Sequence, residues 1–372
     1  MHVPVVNFRP VLDATRQAWE QNLRDLMERQ WFILGEQVRA FEQEFAVAMG
    51  ARETIGVGNG TDAIQLCLRA AGITSQKQEV ITTALTAPFS GIGIIAAGCS
   101  IRFADVDPQT LQIDPADAGN RIRKATAALM PVHLYGQPCR IDRFAKLARE
   151  HRLALIQDAC QAHGARFQGK PLSEFSPYVA YSFYPTKNLG CLGDGGAIAT
   201  NRKSVATLLR ELRDGGRRGG QVTHRTGINS RLDEMQACYL RAFLPHLRSW
   251  NEHRRSIAAI YDEALRNCPG VRLVERTQDS VCHLYVVRAA KREKLRAFLS
   301  QHGIGTGVHY PVPMHLHPTF AGCGLKKGDL PHAEKACREV LSLPLWPYMP
   351  ESAAQEVAAR VWEYYRGSTR KG

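Results

Sequence analysis

The chain has 372 residues, 44% hydrophobic and 22% charged, enough to bury a large core as a soluble protein of two domains. A net charge of +13 asks for an anionic partner, and with no recognition helix, RNP-like motif or basic tail it points to a diphosphate-bearing metabolite rather than nucleic acid. Ten scattered cysteines without a CxxC pair exclude a zinc site and a disulfide framework, so no metal is expected and they read as small core residues. No apolar run spans a bilayer and no signal segment opens the sequence, so a cytoplasmic home and no membrane contact are the expectation.

Strands are expected at ETIGVG (53–58), EVITTA (79–84), SIRFADV (100–106), AALMPVHL (127–134), LALIQDA (153–159), YVAYSFY (178–184) and GAIATN (196–201). Helical patterns at 61–72, 142–152 and 203–216 alternate with them. Alternation of this kind predicts an α/β layer around a mostly parallel sheet. One long helix is expected over 233–267. A strand at 281–289, a helix at 291–303, a loop rich in Pro and His and the segment EKACREVLSL (334–343) then predict a small α+β domain. The boundary falls near residue 245, giving a large domain 1–245 that includes the N-terminal segment and a small domain 246–372.

Ligands of open α/β sheets collect beyond the carboxyl ends of strands, so the loops there carry the candidates. In VGNGTDAI (57–64), Gly60 and Thr61 can offer amides and a hydroxyl to a phosphate at a helix N-terminus; a plain turn with Thr61 as N-cap explains the same residues. In IQDACQAHGA (156–165), Asp158 ends an apolar strand, where a carboxylate needs a partner such as a protonated pyridine nitrogen. Gln161 can donate to a phenolate oxygen and His163 can line the same cleft. A helix cap and a core histidine are the alternatives. In SFYPTKNLGCLGDGGAIAT (182–200), Ser182 precedes Lys187 by five residues, and a desolvated lysine there is a nucleophile able to form a Schiff base. Glycines 190, 193, 195 and 196 would let backbone approach a flat ring. In GINSRLDEMQA (227–237), Asn229 and Arg231 precede a helix, as a capping turn also would.

Taken in order, GTDA, DACQAHGA, SFYPTKNLGCLGDGGA, GINSRLDEMQA and HYPVPMHLHP (309–318) resemble the DegT/DnrJ/EryC1/StrS family of sugar aminotransferases. The resemblance runs from WFILGEQVRAFEQEFA (31–46) to LSLPLWPYM (341–349). It implies the aspartate aminotransferase fold and pyridoxal 5'-phosphate as cofactor, with Lys187 as covalent anchor and acid/base and Asp158 on the pyridine nitrogen. It further implies Gln161 on the ring oxygen, Gly60, Thr61 and Ser182 around the phosphate, and Asn229 reaching the phosphate of a partner subunit in a homodimer. Arg231, His309 and Tyr310 would lie on the sugar-nucleotide side, with His163. The family carries an aromatic where this chain has Ala87, so Phe89 or His163 is expected to supply the stacking ring. By the same analogy, Gln161 followed by AHGA implies amination at C3 of a keto sugar, with glutamate as donor. Family members that are dehydratases carry histidine in place of Lys187. A regulator or nucleic-acid binder without catalysis is the alternative that the positive charge suggests.

Overall fold

The computed structural model describes residues 2–369; residue 1 and residues 370–372, the outer ends of the two predicted domains, lie outside the described residues. A short N-terminal strap leads into α1 (Arg9–Arg29) and α2 (Glu36–Met49). Then come β1 (Glu53–Val57), α3 (Gly60–Ala70), β2 (Glu79–Thr83), α4 (Pro88–Ala96), β3 (Ser100–Ala104), α5 (Pro115–Asn120), β4 (Thr126–Met130) and α6 (Ile141–His151). Short strands β5 (Ala154–Leu155) and β6 (Gln157–Asp158), the hairpin β7 (Arg166–Phe167) with β8 (Lys170–Pro171), β9 (Val179–Ser182) and β10 (Gly196–Thr200) follow. Next are α7 (Lys203–Leu212), the hairpin β11 (Arg217–Arg218) with β12 (Gln221–Val222), α8 (Glu234–Phe243) and α9 (Leu247–Leu265). The chain ends through β13 (Val271–Leu273), β14 (Tyr285–Ala289), α10 (Arg292–Gln301), α11 (Pro331–Glu339), β15 (Val340–Leu343) and α12 (Glu351–Thr369).

The seven expected strands all form, with one split. The run 153–159 breaks after Leu155, so that β5 joins the parallel order β3-β2-β4-β5 and β6 joins β1-β10-β9-β6. Backbone bonds from Ile156 to Leu129 and from Asp158 to Pro131, each 3.0 Å, stitch the two together. Only β10 runs antiparallel to its neighbours β1 and β9. β2 and β10 are buried at every residue, as strands covered on both faces must be. One face packs on α3, α4 and α7 through Ile64, Ile94 and Leu209; the other packs on α2, α6 and α8 through Phe45, Phe144 and Leu240. In α6 the buried positions Ile141, Phe144, Ala145 and Ala148 keep the helical spacing that makes such a face.

The long helix expected over 233–267 is interrupted. Pro245, which lacks the amide a helix interior needs, sits in a 3-10 turn at Leu244–His246 between α8 and α9. Along α9 the packing passes from the core around Trp250 to a third core holding Ile257, Tyr261 and Leu265. That third core lies between the antiparallel sheet β13-β14-β15 and helices α9, α10 and α12. The strap packs there too at Val3, whereas α1 and α2 pack on the second core of the large domain. Val3 is 2% exposed within the third core, and its amide and carbonyl bond Gly303 and Gly305 at 2.9 and 2.8 Å.

Candidate active site

β9 ends at Ser182, and the chain closes a loop by backbone bonds from Phe183 to Gly195 (2.7 Å) and from Cys191 to Phe183 (2.8 Å). Lys187 stands in this loop, its amide bonded to the Tyr184 carbonyl at 2.9 Å. The glycines here do not clear room for a ring. A Cβ on Gly190 would lie 2.3 Å from the Pro185 carbonyl oxygen, and one on Gly196 would lie 2.5 Å from that of Asn59, so they let the loop fold against backbone. Lys187 is partly buried. Loss of water lowers its ammonium pKa, and the opposing pull of Cys160 and Asp158 does not cancel that effect.

Asp158, at the end of β6, is 3% exposed. No helix starts after it, so it is not a helix cap. One carboxylate oxygen accepts from the Cys160 amide at 3.1 Å and the other from the Ser90 hydroxyl at 2.6 Å, and Ser90 in turn lies 3.3 Å from the Thr86 hydroxyl. Among the described residues no cationic side chain forms an ion pair with it. Sequence reasoning passed over Ser90; its signal was a hydroxyl in the first turn of the helix that follows β2.

The N-cap of α3 is Asn59, not Thr61: its side chain accepts from the Asp62 amide at 2.8 Å. The amides of Gly60 and Thr61 thus point from the helix N-terminus, and no hydrogen bond among the described residues takes them up. A Cβ on Gly60 would meet Ser182 Cβ at 2.7 Å and Cys160 Sγ at 2.9 Å, so three strand ends converge here. Ser230 ties the 227–233 segment to this corner, accepting from the Gly58 amide at 2.9 Å and donating to Asp62 at 2.7 Å. Asn229, next to it, is exposed.

Gln161 accepts from the Tyr135 amide at 2.7 Å and donates to the Tyr310 hydroxyl at 3.1 Å, while the Tyr135 hydroxyl donates to the His309 carbonyl. The loop 309–310 of the small domain is thereby joined to the large one. His309 bonds the Ser342 hydroxyl at 2.8 Å, and burial, assisted by the Lys187 charge, pushes its pKa down to about 4. His283, bonded to Asn188 at 3.0 Å, is held neutral for the same reasons.

Three of the expected site residues have other surroundings in this structure. His163 is wholly buried among Phe45, Tyr181 and Phe183, with neither ring nitrogen bonded, so it lines no cleft. Arg231 donates to Asp214 at 3.0 Å and shares that carboxylate with Arg217 at 2.7 Å, so its charge braces the base of the β11–β12 hairpin. Phe89 is 61% exposed and forms a surface stripe on α4 with Ile92 and Ile95, at helical spacing from it.

Comparison with known proteins now decides the family. Residues 13–362 match the DegT/DnrJ/EryC1/StrS aminotransferase family. The chain belongs to that family. It is 42% identical over 370 residues to the "pleiotropic regulatory protein" of Geobacillus stearothermophilus, covering 98% of this chain and 99% of that one. It is 40% identical over 364 residues to dTDP-3-amino-3,4,6-trideoxy-alpha-D-glucose transaminase of Streptomyces venezuelae, covering 97% and 96%. The crystal structure of S. venezuelae DesV in complex with a ketimine intermediate superposes with a TM-score of 0.94 at 39% identity over 98% of each chain. This aminotransferase uses its family's cofactor, pyridoxal 5'-phosphate. The unpaired buried carboxylate of Asp158, the open amides at Gly60 and Thr61, and the desolvated amine of Lys187 fit a group with a basic ring nitrogen, a phosphate and an aldehyde.

Proposed function

We propose that this aminotransferase moves an amino group from glutamate to C3 of a nucleotide-linked keto sugar, in a homodimer whose sites draw on both subunits. The observation that carries the chemistry is a desolvated lysine in the loop after one strand and, at the end of another, a buried aspartate with no ion pair among the described residues. Bound there, pyridoxal phosphate supplies an electron-withdrawing ring and an aldehyde that carries the amino group. Lys187 would anchor the cofactor, and its Nζ, whose pKa burial lowers, would take and return the substrate's proton. The Ser90 hydroxyl and Cys160 amide hold the Asp158 carboxylate, which would pair with the ring nitrogen. The amides of Gly60 and Thr61 and the Ser182 hydroxyl would hold the phosphate at the positive end of α3. Gln161, oriented by the Tyr135 amide, has an N–H left for the ring oxygen beside the one given to Tyr310.

The C3 reading draws support from the name of the S. venezuelae transaminase. The dimer reading draws it from exposed apolar side chains on segments flanking Lys187 and on α4: Tyr184, Leu192, Phe89, Ile92 and, near α8, Met235 and Trp31. Apolar surface of that extent usually marks a protein interface. Exposed Asn229 is assigned to the partner's phosphate. With Arg231 engaged, the sugar nucleotide's diphosphate is assigned to exposed Arg218 on the β11–β12 hairpin.

A regulator is the second reading, and the name of the G. stearothermophilus relative favours it. One experiment separates the two. The protein, loaded with pyridoxal phosphate, is reduced with borohydride and mapped; the adduct is expected on Lys187. In a separate, unreduced sample, glutamate and a dTDP-linked 3-keto sugar should give 2-oxoglutarate and the amino sugar. Absence of both the adduct and amino transfer would leave the regulator.

A further inference from the structure

On one side of the lysine loop lies a cavity of about 150 Å³, the liquid volume of about five waters. Its walls are apolar: Phe8, Val11 and Leu12 from the strap and α1, with Phe243, Trp250 and Trp346 among the residues around them. The lysine loop supplies a further wall, but Gly60, Thr61, Ser90, Asp158, Gln161 and Ser182 take no part. Besides Lys187, one charged side chain among the described residues lines this apolar space.

That residue is Arg254, 4% exposed on α9. Its Nη1 donates to the carbonyls of His283 and Leu345, both at 3.2 Å, and its Nε has no partner. No carboxylate among the described residues forms an ion pair with it, and desolvation lowers its pKa to about 10. A buried charge without a counter-charge is costly, and a guanidinium with unused donors matches a carboxylate. We propose that the cavity binds a small carboxylic acid with an apolar body of four to six carbons, its carboxylate on Arg254 and its chain against the tryptophans. Such a ligand would brace the loop that carries Lys187 without contacting Gly60, Thr61, Asp158 or Ser182. The proposal does not depend on the sugar assigned above.

The test uses the cofactor-loaded enzyme at neutral pH with hexanoate as probe and 1-hexanol as its uncharged counterpart. Trp250 and Trp346 are buried, so their fluorescence reports occupancy. Hexanoate is expected to change it saturably, with hexanol at least tenfold weaker. Arg254→Met should weaken hexanoate at least tenfold. Should that variant not fold, Val11→Trp fills the cavity with Arg254 in place, and hexanoate should then bind at least tenfold more weakly. Equal binding of acid and alcohol, a non-saturating response, or undiminished hexanoate binding by Val11→Trp overturns the proposal.

Discussion

At the scale of single residues, the site turns on how buried polar groups find partners. The buried Asp158 carboxyl accepts two hydrogen bonds, from Ser90 and Cys160. A hydrogen bond to a charged group is worth about 1.5–3 kcal/mol, so Ser90→Ala should slow amino transfer by roughly 10- to 100-fold while the cofactor still binds. Asp158→Asn should cost more, since a neutral amide cannot hold a ring nitrogen protonated; single-turnover kinetics with glutamate would rank the two variants. Equal rates for wild type and Asp158→Asn would return Asp158 to a structural role. His133 shows the same physics with a different consequence. It accepts from the Cys139 amide at Nδ1 (3.1 Å) and meets Gln157 Oε1 at Nε2 (3.0 Å), which sets the neutral Nε2–H tautomer. Burial lowers its pKa from 6.5 to about 4. Between those values the unfolded chain holds a proton the native chain does not, so stability falls as pH drops from 6.5 towards 4. His133→Asn should therefore flatten the pH dependence of unfolding free energy across that window by about one proton. An unchanged slope would show that His133 does not titrate between the two states.

At the scale of elements, helices here are finished by groups from elsewhere in the chain. α2 has no side-chain cap of its own, and the buried Glu234 carboxylate of α8 accepts from the amides of Gly35 (2.6 Å), Gln37 (2.9 Å) and Val38 (3.1 Å). Glu234→Ala would leave three buried donors unmatched, and a loss of about 2–4 kcal/mol is expected from urea unfolding. A midpoint shift within error would mean that water replaces the carboxylate. The lysine loop carries a comparable constraint at Gly190. Gly190→Ala forces a methyl against the Pro185 carbonyl, so the loop must open and Lys187 must move. The expected result is weaker cofactor retention on dialysis with secondary structure unchanged in circular dichroism.

At the scale of the whole molecule, strand ends from distant parts of the chain meet the small domain at one place, and the segment 227–233 is clamped to the same corner through Ser230. That clamp turns Asn229 outward, which suits contact with a second subunit. Mixing Lys187→Ala with Asn229→Ala chains tests it. In a mixed dimer both defects share one site and the other is intact, so roughly a quarter of wild-type activity should return. No recovery after verified subunit exchange would confine the site to one chain.

The amino-acid sequence by itself determined the strands, the α/β class and the residues that gather at the strand ends, because those depend on short runs of apolar residues and on motifs confined to one loop. Lys187, Asp158, Gln161, Gly60 and Ser182 were legible for that reason. Only the tertiary structure decided which charges were already engaged. Ser90 meets Asp158 across 68 residues of sequence, Arg231 is taken up by Asp214, and the rings of Phe45, Tyr181 and Phe183 enclose His163. Pairing of this kind depends on distance in space, which the order of residues along the chain does not carry. The strap on the small domain and the unpaired Arg254 behind the lysine loop follow the same rule.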